Sequence, residues 1–389
     1  MSQWFQHGKD EAERERTGRP LEQAALFQEG AVSEAPLTID EHNEQPITVE
    51  QLSLGKRLLN WRTIVPLVVV LLALLIFLKQ EKINLQQTWL AIEAANPLFF
   101  ALAFVIYYLS FPLRAWRWRI LLRNAGQGQG AKNEMRLPPF WKLVEIVYIS
   151  WFANALVPAK LGDLYRAYLL RQESGCSATR TFGTVLAERL LDLMVLLCLC
   201  IPALMISLHE RMPWQVRFGL IVTLVAVLVG MAALGLLRWL HEPIGKRIPA
   251  RLRGYYEHLQ GGILGSFRHL PTLGLLTLAI WSCEALRFFF VVLALQLLQG
   301  PLLHLLAVAI LIALVEALLT VIPFTGGGVG LVEGGMIAMI ALFRPHATSL
   351  ALAAIVLDRT ISLLSILVIG FIVFFIAFGR QTAKQSLDA

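Results

Sequence analysis

The chain has 389 residues, of which 57% are apolar and only 16% charged, with a formal net charge of +7. An ordinary soluble chain carries about 45–50% apolar and about 25% charged residues, so this one has too little polar surface to cover itself in water. That excludes an ordinary soluble enzyme and a disordered protein, and the long unbroken apolar runs exclude an outer-membrane barrel; what is left is an all-α polytopic membrane protein.

The first fifty residues hold four Lys/Arg and eleven Asp/Glu, whereas the remainder holds thirty and sixteen. An acidic tail is therefore joined to a basic membrane body. The positive total is weak ground for nucleic-acid binding, because basic residues collect in cytoplasmic loops of membrane proteins. Residues 1–55 are predicted to be a flexible cytoplasmic tail, 56–380 the membrane domain and 381–389 a short cytoplasmic tail. No cleavable signal peptide is visible. The first apolar run, 63–78, follows Lys56, Arg57 and Arg62 and is expected to act as an uncleaved signal-anchor.

A second run, 97–113, ends in Arg114-Ala115-Trp116-Arg117-Trp118-Arg119. Such a stretch suits a cytoplasmic interface, where Trp and Arg anchor helices, and equally a surface that selects anionic headgroups. Later runs cover 140–157, 181–207, 215–240, 271–298, 303–323, 329–343 and 349–378. Basic residues mark 114–139, 158–180 and 238–270 as cytoplasmic, while 299–303 and 344–348 look external. The segment 140–157 then enters and leaves on one side as a re-entrant hairpin, and 303–343 forms a second hairpin from the other side, turning at Pro323. The expected topology is six full spans plus two opposed hairpins in the inner (cytoplasmic) membrane, with both termini inside.

The order of features repeats. A helix with an Arg (Arg114, then Arg287) precedes a Pro/Gly turn (Pro158 to Gly162, then Pro323 to Gly327). A helix with an acid-Arg pair follows (Glu188-Arg189, then Asp358-Arg359). Repeat A spans about 97–207 and repeat B about 271–378. The charge rule gives the two copies opposite orientations, and inverted repeats with broken segments point to a transport site near the midplane.

Ten charged residues fall in or beside the apolar runs: Glu145, Glu188, Arg189, Asp192, Glu284, Arg287, Glu316, Glu333, Asp358 and Arg359. One Arg or Asp at a helix centre costs roughly 2.5–3.5 kcal/mol on insertion scales, so unpaired they would be prohibitive. Arg189 with Asp192 and Glu284 with Arg287 are spaced i,i+3, on one helix face each. Two readings stand. Either the charges line a water-accessible cavity where Arg holds a phosphate and carboxylates balance it or carry protons, or they are ion pairs that fix helix packing. The run Gly326-Gly327-Gly328-Val329-Gly330 breaks the helix and is either a tight packing turn or a set of backbone amides facing an anion. It lacks the Gly-Lys-Ser/Thr of a nucleotide loop. Three of the four cysteines lie in apolar runs and none has metal-ligand spacing. No hydrolase, metalloprotease or nucleotide-sugar motif appears, so no cofactor, metal or catalytic residue is expected.

Arg114-Ala-Trp-Arg-Trp118, Asn154…Pro158-x-x-x-Gly162-Asp163-x-x-Arg166, Glu188-Arg189-x-x-Asp192, Pro323/Gly326–Gly330/Glu333 and Asp358-Arg359 together resemble the membrane domain of lysylphosphatidylglycerol synthases, the flippase-like domain family. The resemblance covers roughly residues 60–378. In the synthases that domain is coupled to a cytosolic aminoacyltransferase and is implicated in moving the lipid between leaflets; stand-alone relatives are linked to hopanoid, glycolipid or polyprenyl-linked lipid pathways. This chain resembles a stand-alone member, so aminoacylation is not carried over.

The reading is a flippase-like lipid translocase whose partners are anionic phospholipids or lipid-linked intermediates, with a homo-oligomer left open. Arg189 and Arg359 are the first candidates for phosphate contacts, with Arg114 and Arg287 at the two mouths of the path. Glu188, Asp192 and Asp358 serve as counter-charges or proton carriers. Gly326, Gly327 and Gly328 offer amides or hinge freedom, and Asn154, Arg166 and Glu333 complete the set. The alternatives are a membrane-embedded transferase using Glu188 or Glu333, and an assembly scaffold docking through the acidic tail.

Overall fold

The computed structural model describes residues 84–127, 136–157, 160–207, 214–239, 250–321 and 326–374. All of these belong to the second of two units, 52–389. The acidic tail, the first apolar run 63–78, Pro158 and Pro323, and the C-terminal tail lie outside the described residues.

Regular structure among the described residues is helical throughout. In chain order the helices are α1 (Leu85–Glu93), α2 (Pro97–Asn124), α3 (Phe140–Leu156), α4 (Leu161–Ser174), α5 (Ala178–Ser207), α6 (Trp214–Trp239) and α7 (Ala250–Ser266). There follow α8 (Leu270–Ala294), α9 (Leu302–Val321), a 3₁₀ turn at Gly326–Gly328, α10 (Leu331–Phe343) and α11 (Thr348–Arg359). The last continues through a π turn, Thr360–Leu364, so that 348–374 is one helical span.

Five of these are long and apolar enough to cross a membrane: α2, α5, α8, α9 through Thr320, and 348–374. At 1.5 Å per residue even the 19-residue stretch of α9 reaches about 28 Å, close to the hydrocarbon thickness. The expected six full spans included 63–78, which lies outside the described residues, and 215–240; α9, expected as a hairpin arm, is instead one of the five helices long enough to cross. Helix starts follow the local chemistry. Asn84 and Asn96 accept hydrogen bonds from the Gln87 and Leu98 N–H groups, and Pro97 occupies the first helical position of α2.

Helices α2 and α8 form the most extensive pair; α5 packs on α7 and α9, and α3 on α4. Close crossings use glycine. A Cβ on Gly262 would stand 2.2 Å from the Arg180 carbonyl oxygen, and one on Gly183 2.5 Å from that of Leu259, so only hydrogen fits where α5 meets α7. Apolar side chains such as Val105 and Leu109 on α2 and Leu275 on α8 point outward and are exposed. With no water-seeking face there, those surfaces suit lipid tails.

The first hairpin differs from expectation. Residues 140–156 form one unbroken helix, α3, rather than a hairpin in themselves, and α4 packs back against it. The turn between them holds Lys160 in the left-handed region, φ 53°. Helix α4 carries Asp163, Arg166 and Arg171, which makes it read as a loop in the sequence. It folds against α3 because Asp163 and Arg166 find buried partners, described below. In the second half α9 and α10 pack against each other within 302–343. The turn before α10 places Gly327 at φ 61° and Gly328 at φ 72°, conformations that side chains resist. Gly327 packs beside Ala155 of α3, so the second turn abuts the first arm.

Candidate functional site: a buried cavity ringed by charge

On α2, Arg114, Arg117, Trp118 and Leu121 are spaced i, i+3, i+4, i+7 and all are buried, whereas Trp116 between them is exposed. The basic-aromatic stretch is therefore half core and half surface. Arg117 is wholly enclosed. It donates to Asp192 at 2.6 Å, to Glu188 at 2.9 Å and to the Thr277 hydroxyl at 2.9 Å. Glu188 takes a second hydrogen bond from Arg166 at 2.8 Å, and the Arg166 guanidinium lies 3.9 Å over the Trp118 ring. Both Glu188 oxygens are thus taken, and the residue does not line the cavity.

The cavity is about 290 Å³ in volume and lies among α2, α3, α5, α8, α9 and α11. Arg114, Arg189, Arg287, Arg359, Asp192 and Asn154 line it, as do Lys160, Asp163, Glu284 and Glu316. Leu193, Leu196, Leu318, Leu363 and Ile366 supply an apolar wall. Arg114 and Arg287, expected at separate mouths, open onto this one cavity together with Arg189 and Arg359. Gly327 lines it, whereas Gly328, Glu333, Arg166 and Asp358 do not; the surroundings of Gly326 lie outside the described residues.

Each lining cation has a defined clamp except one. Arg189 pairs with Asp163 at 2.9 Å and with Asp192 at 3.6 Å. Asp163 also accepts from Asn154 at 3.1 Å, while the Asn154 oxygen receives the Gly162 N–H at 2.8 Å, which fixes the start of α4 to α3. Burial alone would raise the Asp163 carboxyl, but Arg189 and Arg166 hold it below the usual carboxylate range. Arg114 reaches Glu284 at 2.6 Å and lies 4.3 Å over the Trp151 ring. Arg287 contacts Glu316 at 2.6 Å, Glu284 at 3.3 Å and, closest of all, Asp358. Arg359 pairs with Glu333 at 2.7 Å and more distantly with Glu316 at 3.8 Å. The Glu333 carboxylate also accepts the Gly330 N–H and so caps α10. Lys160 is the exception: among the described residues it has no acidic partner within ion-pair distance.

The two i,i+3 pairs expected from spacing are present. The shorter contacts, however, run between helices: Arg114 to Glu284, Arg117 to Asp192, Arg287 to Glu316 and Arg359 to Glu333. Asp163, Glu284, Glu316 and Lys160 in the cavity lining, and Arg117 buried behind it, are absent from the candidates that the sequence suggests. Glu284 and Glu316 had a signal, being acids inside apolar runs. Arg117 had none beyond the helical face it shares with Arg114.

The two halves correspond position by position. Arg114 and Arg287 each come 17 residues after the first residue of their helices, Pro97 and Leu270. Asn154 and Glu316 each come 14 after Phe140 and Leu302, and Asp163 and Glu333 each come 2 after Leu161 and Leu331. Arg189 and Arg359 each come 11 after Ala178 and Thr348, and Leu193 and Leu363 each come 15 after the same starts. Both arginines of the last helices are clamped by the acid at the start of the preceding short helix, Asp163 in one half and Glu333 in the other.

Residues 63–370 match the family described as the lysylphosphatidylglycerol synthase TM region. A UPF0104 membrane protein of Methanocaldococcus jannaschii is 32% identical over 238 residues, which is 60% of this chain and 97% of that protein. A UPF0104 membrane protein of Methanothermobacter thermautotrophicus is 27% identical over 83% of this chain and 95% of its own length. Glycosyltransferase AglD of Haloferax volcanii is 27% identical over 69% of this chain, and this chain spans 47% of that protein.

Proposed function

We propose that this chain, which belongs to the lysylphosphatidylglycerol synthase TM-region family, is a flippase-like translocase that moves a phosphate-bearing amphiphile between the leaflets of the inner membrane. Its substrate is an anionic phospholipid or a lipid-linked intermediate. The observation that carries this reading is the amphipathic cavity inside a bundle of spanning helices. A polar headgroup cannot enter hydrocarbon without losing several kcal/mol of hydration, so a path for it needs polar partners at depth and an apolar side for the tails. The cavity has both.

Arg189 and Arg359 are the phosphate contacts. Arg189 is the most exposed of the cavity arginines, with 29% of its side chain accessible. In Arg359 the Nη2 atom is buried with no hydrogen-bond partner, a donor that a phosphate oxygen can fill. Lys160 adds a cation that has no ion-paired carboxylate among the described residues. Both termini are cytoplasmic in this reading, and the absence of a nucleotide loop in the sequence makes the movement passive or ion-coupled.

The test is lipid translocation in proteoliposomes, using headgroup-labelled anionic phospholipids and following leaflet accessibility. Arg189→Ala and Arg359→Ala slow the movement at least tenfold while melting within a few degrees of the parent protein. Equal loss of both properties assigns these arginines to packing instead. One alternative is favoured by a name alone: the Haloferax relative is a glycosyltransferase. A lipid-linked product formed by the purified protein would move the assignment to a membrane-embedded transferase.

A further inference from the structure

The ion pairs at the cavity fall into two separate connected sets. One links Arg117, Arg166 and Arg189 with Asp163, Glu188 and Asp192, three cations against three anions. The other links Arg114, Arg287 and Arg359 with Glu284, Glu316, Glu333 and Asp358, three cations against four anions. The surplus gathers at Arg287, whose single guanidinium is shared by Glu284, Glu316 and Asp358, while only 1% of the Arg287 side chain and none of the Asp358 side chain is accessible.

Among the described residues, nothing else nearby supplies the missing positive charge. From α2 the set is faced by Arg114, already counted, and by the Tyr107 ring, 5.4 Å from the Arg287 guanidinium. From α11 come Arg359, also counted, and Ser362, whose hydroxyl is 3.5 Å from Asp358. From α10 comes Glu333, an acid. Across the cavity, α5 presents Arg189 and Asp192, paired with each other, and Lys160 has Arg189, Asp163 and Asp192 as its charged neighbours. The cavity thus has one wall with an extra cation and one with an extra anion. A desolvated unpaired carboxylate is costly, and the common remedy is to neutralise it.

We infer that the Arg287 set binds one proton, shared among Glu284, Glu316 and Asp358, and that a singly charged anionic headgroup crosses the membrane together with it. Glu316 and Glu284 line the cavity and are the points of exchange with its water; Asp358 is the dry end. The anion sits against Lys160 and Arg189, the proton opposite, and the loaded cavity gains no net charge. This second half rests on the translocase reading; the proton site does not.

Two measurements separate them. Infrared spectra of the purified full-length protein at neutral pH contain the carbonyl stretch of an un-ionised, deuterium-exchangeable carboxylic acid. Glu316→Gln and Glu284→Gln each remove it, because either brings the set to three against three. Asp163→Asn, in the balanced set, keeps it. Absence of the band, or its survival in both Gln variants, overturns the proton site. In proteoliposomes containing headgroup-labelled phosphatidylglycerol, one pH unit across the membrane shifts the leaflet ratio about tenfold, since one proton per pH unit is worth 1.36 kcal/mol. A membrane potential alone leaves the ratio unchanged. A ratio that follows the potential instead overturns the coupling. The band without lipid movement overturns the translocase and leaves the proton site standing.

Discussion

Lys160 occupies the turn ahead of α4 at φ 53°, outside the spanning helices, and faces the cavity without a carboxylate of its own. Burial pushes its ammonium down to about 8, with Arg189 adding to the shift and Asp163 and Asp192 opposing it. An unperturbed lysine titrates near 10.4, so between about pH 8 and about pH 10 the folded protein carries this residue mostly neutral while an unfolded chain would still carry it charged. The cavity therefore loses a positive charge as pH rises through about 8. Binding of a headgroup-labelled anionic lipid weakens across that interval. Lys160→Gln flattens the step and starts from the weaker level. A step that persists in the variant assigns it to another group.

What was hidden at this scale is explained by distance along the chain. Arg117 meets Glu188 across 71 residues and Arg114 meets Glu284 across 170. Spacing rules report neighbours one helical turn away, so they found Arg189 with Asp192 and Glu284 with Arg287, but not the shorter bonds that run between helices. They also left Arg117 in an interfacial stretch, although it is a hub of the buried set. The acid-Arg pairs were legible because a charge in an apolar run needs a reason wherever it occurs.

At the scale of elements, the hairpin α3–α4 is held by a glycine contact. A Cβ on Gly162 would lie 2.1 Å from the Ser150 carbonyl oxygen and 2.7 Å from the Asn154 side-chain oxygen. Backbone cannot yield as a flexible side chain does, so Gly162→Ala pries the return arm away. Overpacking of that kind costs about 1–3 kcal/mol. The variant melts several degrees lower and also loses the Asn154 clamp on Asp163, with slower lipid movement. Gly334→Ala on α10 is the control, since nothing lies within 4 Å of its added Cβ. Equal effects from both would deny the contact its role. The sequence showed that a break occurs near Pro158 and Gly162, but not that the polar segment after it is a helix. Only the buried partners of Asp163 and Arg166 make that amphipathic segment an arm of the hairpin.

For the whole molecule, the helical membrane class was readable from composition alone. The cavity was not readable, because it is made by packing α2 against α8 and α5 against α9. In the translocase reading the work is done by the membrane helices, so removing residues 1–50 leaves lipid movement within about twofold. Loss of movement in the truncated protein would favour the scaffold reading.

The 170 residues between Arg114 and Glu284 also set a schedule for biosynthesis. Translation proceeds at about 5–20 residues per second, so Arg114 waits about 10–30 s for its partner to be made. During that wait α2 holds two arginines that belong inside the protein, and at roughly 2.5–3.5 kcal/mol each neither is at home in lipid. Arg117 is relieved first, when Glu188 and Asp192 emerge; Arg114 is relieved only with α8. The nascent chain therefore cannot settle helix by helix. It has to be held at the insertion site, or beside a protein that shields α2, until more than two-thirds of its length exists.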